Sequence, residues 1–323
     1  MRLDQALVQR GMARSRSRAA QLIAQGNVLV NAVPATKASQ PIMSNDQLRI
    51  LEQDDFASRA AFKLLRTLEA IGCQDQLVAG KKALDVGAST GGFTDVLLRH
   101  GAQKVIALDV GHDQLIDTIR LDPRVHVIEG YNARDLVASD LPYAPELIVS
   151  DVSFISLTLL IPALARTIVP GGDLLLMVKP QFEVGKENLG SGGVVRDPRL
   201  HKGAIEQVVT SAYESGLELI AVSPSALPGP HGNREYFVWL RDPQTSSASN
   251  STTVIPSRPT SGFDQPLDLP VAYRNTISDA VDSLFGGPAY DAIAKVAGRP
   301  KLARAVLAKI DVAQTAVYWV KRS

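Results

Sequence analysis

The chain has 323 residues, with 34 basic against 33 acidic side chains, a net charge of +1 and 45% hydrophobic content. This balance excludes a highly charged disordered chain, a collagen-like repeat and a disulfide-stapled miniprotein, and at about 100–200 residues per domain it leaves room for two or three domains. A single cysteine, Cys73, makes no internal disulfide and no Cys-based zinc site, which points to a reducing, cytoplasmic setting.

At the start of the chain, residues 1–20 (MRLDQALVQRGMARSRSRAA) lack an apolar segment ahead of a small-residue cleavage site, so no secretory leader is expected. Residues 1–51 carry seven basic side chains (Arg2, Arg10, Arg14, Arg16, Arg18, Lys37, Arg49) against two acidic ones (Asp4, Asp46), so a head of +5 is concealed in the near-neutral total. Leu3, Ala6 and Leu7, then Ala19, Ala20, Leu22 and Ile23, recur at helical spacing and predict two short amphipathic helices, the second ended by Gly26-Asn27. Strands are expected at residues 28–31 (VLVN) and 47–50 (QLRI), around a turn at Val33-Pro34. Arg14, Arg16 and Arg18 fall at the helix boundary, where several guanidinium groups can grip successive phosphates; the bland alternative is a solvated basic face. Residues 2–31 in particular resemble an S4 RNA-binding domain, over about the first fifty residues. The resemblance implies a domain at residues 1–52 seated on structured RNA, with Arg2, Arg10, Arg14, Arg16 and Arg18 as RNA contacts.

A short polar linker is expected at residues 53–61, leading into a helix that Ser58 caps. From residue 62 to 242, apolar runs alternate with helical stretches. The runs are 82–86 (KALDV), 104–108 (KVIAL), 125–128 (VHVI), 146–150 (ELIVS) and 173–178 (DLLLMV), with a closing pair at 217–222 and 235–240. Continuous hydrophobicity in the strands means burial on both faces, so the fold class is α/β, a doubly wound, Rossmann-like and mostly parallel sheet. The most apolar stretch, residues 154–165 (FISLTLLIPALA), is too short to cross a bilayer. Residues 243–264, rich in Ser, Thr and Pro, read as a flexible linker, and 265–323 as a helical extension with helices at 277–285 and 295–310 that bring Lys301, Arg304 and Lys309 near one side. An accessory element touching RNA or protein is the reading of that tail.

Residues 85–93 (DVGASTGGF) follow the first strand of the sheet and open a helix. Glycines there let a ligand lie against bare backbone at the carboxyl edge. The dinucleotide pattern G-x-G-x-x-G is broken by Ser89, and Asp85 suits a cationic ligand better than a diphosphate. Asp109 closes the next strand, where a carboxylate can accept both hydroxyls of a ribose. This pattern resembles the S-adenosylmethionine site of class I methyltransferases, and the resemblance implies cofactor contacts at Asp85, Gly87, Ser89, Gly91, Gly92, Phe93, Asp109 and Asn132. Phe93 has core packing as its alternative, and Asn132 an Asx-turn.

Four further motifs, residues 58–64 (SRAAFKL), 151–156 (DVSFIS), 179–183 (KPQFE) and 232–237 (GNREYF), look like the TlyA family, also called haemolysin A, within the FtsJ-like group of ribosomal RNA 2′-O-methyltransferases. The resemblance runs from Arg2 to about Leu240 and implies a catalytic Lys-Asp-Lys-Glu set at Lys63, Asp151, Lys179 and Glu235. Of these, Asp151 and Lys179 directly end predicted parallel strands, the edge where ligands bind. A ribose hydroxyl is a poor nucleophile, so the enzyme must align it with the donor and remove one proton. A neighbouring ammonium such as Lys63 and partial removal from water favour the neutral amine of Lys179, which then accepts that proton, while Asp151 and Glu235 hold the two amines in place. For Lys63 alone the bland reading is a surface lysine on an amphipathic helix.

The expected activity is methyl transfer to a cytidine ribose in ribosomal RNA or ribosomal subunits. The 23S molecule is favoured because the chain begins almost directly at the S4 domain, and 16S comes second. The alternatives are a catalytically inactive RNA-binding assembly factor and a cytolysin; the second finds no leader, membrane span or lytic helix in its support. The loop 182–196 (FEVGKENLGSGGVVR) is glycine-rich and basic at Lys186 and Arg196, and is expected to close over RNA. His112, His126 and His231 share no metal-ligand spacing with one another or with Cys73, so no metal is expected.

Overall fold

The computed structural model describes residues 1–24, 28–31, 33–35, 37–50, 56–72, 74–229, 232–243, 269–285 and 317–320. The Gly26-Asn27 stop, most of the 243–264 linker and the helix expected at 295–310 lie outside the described residues. The chain forms two compact units, which divide between Phe56 and Ala57.

In the first unit, helices α1 (Leu3–Gln9) and α2 (Arg16–Ala24) cover three short antiparallel strands, β1 (Val28–Val30), β2 (Val33–Pro34) and β3 (Leu48–Ile50), in the order β2-β1-β3. The helical spacing of Leu3, Ala6, Leu7, Ala19, Leu22 and Ile23 buries one stripe against Val28 and Val30. Val33 and Pro34 differ from the expected turn. They pair with Val30 and Leu29 as an edge strand, a position where the missing proline N–H costs no ladder bond, and Asn31 at φ 50° begins the reversal instead.

The second unit begins with residues expected to be linker. Ala57 donates its N–H to Asp95 (2.8 Å), and Arg59 donates to the carbonyl of Pro228 (2.8 Å). Ser58 accepts from the N–H of Ala60 (3.2 Å) in the turn just ahead of α3 (Ala61–Ile71). After α4 (Gln74–Leu77) come β4 (Lys82–Val86), α5 (Gly92–Arg99), β5 (Lys104–Leu108), α6 (Asp117–Arg120), β6 (Val125–Ile128), β7 (Leu147–Ser150), α7 (Ile161–Thr167), β8 (Asp173–Val178), α8 (Pro180–Glu183), α9 (Pro198–Glu214), β9 (Glu218–Pro224) and β10 (Tyr236–Arg241). Strands β8-β7-β4-β5-β6 are parallel, and β10 returns antiparallel beside β8 with β9 next to it. Every residue of β7 and β8 is buried, as strands sandwiched between helices require. Helices α7 and α9 supply Ile161, Leu164, Ile205 and Val208 to one face of the sheet, and Thr67 and Ile71 of α3 border Leu175 and Phe237 on the other.

Helix α10 (Val271–Phe285) starts six residues before the expected Ile277, and it is no free appendage. Ile277, Ala280 and Val281 are fully buried in the same core, and the Tyr273 hydroxyl accepts the N–H of Leu219 (3.2 Å). A strand absent from the sequence reading, β11 (Tyr318–Trp319), pairs antiparallel with β9 and sets Trp319 against Trp239 at 5.4 Å between rings. The described part of the tail is thus a helix plus a strand, which corrects the purely helical expectation. Two residues are too few to display an alternating pattern.

Because Ile277 is sealed in the core, Ile277→Asp puts an unpaired carboxylate into apolar surroundings and is expected to lower unfolding stability by about 3 kcal/mol or more. A urea denaturation midpoint equal to that of the parent chain would show that α10 does not belong to the folded unit.

Candidate active site

Asp151 and Lys179 directly follow β7 and β8, which run parallel and adjacent. Strand β10 is antiparallel to β8 with Tyr236 opposite Val178, so Glu235, one residue before β10, falls beside Lys179 at the same edge. Lys63 comes from α3 and is buried, contrary to the surface-lysine alternative. Its Nζ lies 2.6 Å from Glu235 Oε2, 3.5 Å from Asp151 Oδ2 and 3.5 Å from Met177 Sδ. Lys179 Nζ lies 2.7 Å from Asp151 Oδ1, and it donates to Ser153 Oγ at 2.7 Å and to the Asp151 carbonyl at 3.4 Å. The four side chains therefore form one chain of alternating charge, Lys179-Asp151-Lys63-Glu235, with Asp151 the most exposed member at 13%. The buried Oδ1 of Asp151 is taken up by its 2.7 Å charge contact with Lys179, and Oδ2 faces Lys63. The turn before β10 packs directly on Glu235: a Cβ at Gly229 would lie 2.6 Å from its Oε1.

Beside this cluster lie the ends of β4 and β5. Asp85 is fully buried. Its Oδ2 accepts from Thr94 Oγ1 (2.7 Å), and its Oδ1 has no hydrogen-bond partner among the described residues. Burial pushes this carboxyl up to about 7, with Thr94 opposing the shift and the nearby charges of Asp151 and Asp109 adding to it. Asp109 accepts the N–H groups of Ser89 (2.7 Å) and Gly111 (2.8 Å) and so ties together the loops that follow β4 and β5. Asp109 and the carboxyl of Asp85, whose buried Oδ1 lacks a hydrogen-bond partner among the described residues, give this edge acceptor oxygens that fit a cationic ligand. Gly87 and Gly91 hold φ of 85° and 95°, open to glycine without strain, whereas Ser89 at φ 47° is held in the left-handed region by Asp109 and by Gln114 (3.2 Å). A Cβ on Gly92 would lie 2.3 Å from Ser58 Oγ, so this glycine lets the turn before α3 sit on the start of α5.

Two of the expected cofactor contacts also show the alternatives weighed for them. Phe93 is buried and stacks on Phe237 at 6.0 Å, the core packing given as its alternative. The Oδ1 of Asn132 caps the turn Ala133–Asp135 by accepting from the N–H of Arg134 (3.2 Å), the Asx alternative.

A family model described as FtsJ-like methyltransferase matches residues 56–242, more than half of the chain. The chain belongs to the FtsJ-like methyltransferase family. An S4 domain model matches residues 1–48. This methyltransferase is 46% identical over 242 residues to the 16S/23S rRNA (cytidine-2′-O)-methyltransferase TlyA of Mycobacterium tuberculosis, covering 74% of this chain and 89% of the relative. It is 38% identical to Hemolysin A of Brachyspira hyodysenteriae over 73% of this chain and 98% of that one. A solved structure described as a hemolysin from Streptococcus thermophilus superposes with a TM-score of 0.59 at 32% identity, covering 87% of this chain and 96% of that one. No helix among the described residues is long and apolar enough to cross a membrane, and no group of three or more His, Cys, Asp or Glu among them could hold a metal ion.

Sequence reasoning missed Ser153, Gln181 and Thr94, each bonded to one of the charged groups above. Ser153 and Gln181 stand two residues after Asp151 and Lys179, inside motifs already singled out. Thr94 lies in the first turn of α5, and nothing in the sequence marks its partner. The loop 182–196 is fastened rather than loose. Val184 and Val195 are buried against Ala204, Asn233 accepts the N–H of Val195 and donates to the carbonyl of Gly193, and buried His201 bonds the carbonyl of Val195 and the hydroxyl of Tyr236.

In the first unit, Arg2 and Arg16 both bond Asp4, and Arg2 leads in holding that carboxyl down at about 2. Arg10 donates to the carbonyls of Asp46 (2.7 Å) and Ser44 (3.0 Å). These arginines brace the unit's own loops while staying exposed, as do the side chains of Arg14 and, in part, Arg18.

The folded value of Asp85 lies above the ordinary 3.8 of a carboxyl. Its contribution to stability is therefore fully present below about pH 4 and is lost as pH rises through about 7. Denaturation midpoints measured from pH 4.5 to 8 are expected to decline more steeply for the parent chain than for Asp85→Asn; parallel curves would rule out a buried neutral carboxyl at this position.

Proposed function

We propose that this methyltransferase moves the methyl group of S-adenosylmethionine to the 2′-oxygen of a cytidine ribose in ribosomal RNA, with the S4 domain holding the RNA. The observation that carries the reading is the meeting of Lys63, Asp151, Lys179 and Glu235 at the sheet edge beside Asp85 and Asp109. Support for the substrate comes from the M. tuberculosis relative, whose name gives cytidine 2′-O-methylation of 16S and 23S rRNA. Bound at the edge formed by Asp85, Ser89 and Asp109, the cofactor supplies an electrophilic methyl on a sulfonium.

The chain's own residues handle the hydroxyl and its proton. Asp151, the most exposed of the four, accepts the incoming 2′-hydroxyl and orients it. Lys179, in its neutral form, takes the proton as the oxygen becomes nucleophilic. Lys63, fixed by Glu235 and by Asp151, keeps Asp151 in place throughout, and exposed Ser153 links Lys179 to water for return of the proton. Burial of three of the four groups excludes competing water from the reaction.

Purified chain incubated with labelled S-adenosylmethionine and isolated small or large ribosomal subunits is expected to label at least one of them at a cytidine 2′-oxygen, located by mass mapping. Lys179→Ala is expected to reduce turnover by about 10²–10⁴-fold with cofactor affinity unchanged. RNA binding without methyl transfer to either subunit would instead mark an assembly factor.

A further inference from the structure

One carboxylate next to the cluster has no part in the chemistry described above. Glu183 ends α8, four residues after Lys179, and it reaches across to the segment that carries Asp151. Its Oε2 accepts from Ser156 Oγ at 2.5 Å and its Oε1 accepts the N–H of Leu157 at 3.0 Å. Burial pushes this carboxyl up to about 7, against the pull of both donors, so its placement costs free energy that an apolar residue would not incur.

What the two bonds hold is a strained turn. Phe154, 91% exposed, sits at φ 65°, a region that a bulky non-glycine residue occupies only when its surroundings impose it. Lys179 grips the turn on its near side through Ser153 and Asp151, and Glu183 grips it on the far side through Ser156 and Leu157. Between them Phe182 lies 5.2 Å from Phe154. The segments after β7 and β8 are thus stitched side by side at both ends, and the spacing of Asp151 Oδ1 from Lys179 Nζ depends on that alignment.

We propose that Glu183 is a positioning residue for methyl transfer, clamping the 151–157 segment to the 179–183 segment so that Asp151 and Lys179 meet the substrate hydroxyl in register. The assignment rests on the reading that these two residues orient and deprotonate the hydroxyl. Misplacement by an ångström costs on the order of 100-fold in rate, which sets the scale of the effect.

Glu183→Gln keeps the clamp: the amide oxygen accepts from Leu157, the amide nitrogen donates to Ser156 Oγ, and the Ser156 proton turns to Thr158 Oγ1, 2.7 Å away. Glu183→Ala loses it. With full-length protein, labelled S-adenosylmethionine and isolated ribosomal subunits, Glu183→Ala is expected to lower kcat about 10- to 100-fold, with KM for subunits within about twofold and cofactor affinity unchanged, and Glu183→Gln to restore most of the rate. Should Glu183→Ala not fold, Ser156→Ala, which removes one donor from the opposite side, is expected to give the same loss of kcat. Full turnover in Glu183→Ala beside an inactive Lys179→Ala would overturn the clamp alone. A Lys179→Ala variant with parental turnover would overturn the catalytic reading beneath it. Equal loss of rate and melting temperature in Glu183→Ala and Glu183→Gln would also overturn the clamp, because it would reduce Glu183 to a fold-stabilising carboxylate.

Discussion

Asp151 is shared by two ammonium groups, 2.7 Å from Lys179 and 3.5 Å from Lys63, and the surrounding architecture is governed by the cost of taking those charges out of water. Removing one member of a buried ion pair leaves an uncompensated charge that costs about 3–5 kcal/mol, so the burial of each charge depends on its neighbours. This requirement explains why four distant parts of the chain converge. A helix ahead of the sheet delivers Lys63, two neighbouring parallel strands deliver Asp151 and Lys179, and a strand running back beside the second delivers Glu235. The antiparallel return of β10 matters most here, since a parallel strand in its place would start at the opposite edge of the sheet.

Much of the fold was legible in the sequence because strands buried on both faces read as unbroken apolar runs: residues 82–86, 104–108, 125–128 and 173–178 are strands over the same limits the pattern gave. The helical stripes of the first unit were legible for the same reason. Lys63 was not, because an amphipathic helix displays the spacing of its residues but not the identity of what covers them; a lysine among Leu64, Leu68 and Ile71 is marked as buried only once Glu235 is known to face it. Phe93 illustrates the converse. Its place inside a ligand-binding motif suggested a ligand, while its partner Phe237 lies 144 positions away and no local pattern announces it. The roles of the four charged residues came from family resemblance; spacing alone could put only Asp151 and Lys179 at the carboxyl edge.

Among the loops at this edge, two hold a left-handed non-glycine residue braced by neighbouring side chains, Ser89 after β4 and Phe154 after β7. Each is flanked by side-chain bonds from the neighbouring strand end: Asp109 for Ser89, and Lys179 with Glu183 for the Phe154 turn. The charged groups thus serve as braces for backbone that would otherwise relax, and the energy of the ion pairs is partly spent on holding loop shape. Rigidity at the reacting edge and charge burial are in this sense the same design.

The pairing of β11 with β9 has a consequence for how the chain is made. Until Tyr318 and Trp319 emerge from the ribosome, β9 is the outer strand of a sheet whose other members have already been synthesised, and its free amide and carbonyl groups are a template for any extended segment nearby. A chain stalled after Arg241 and before Tyr318 would therefore leave the Ala221–Val222 margin of β9 unpaired.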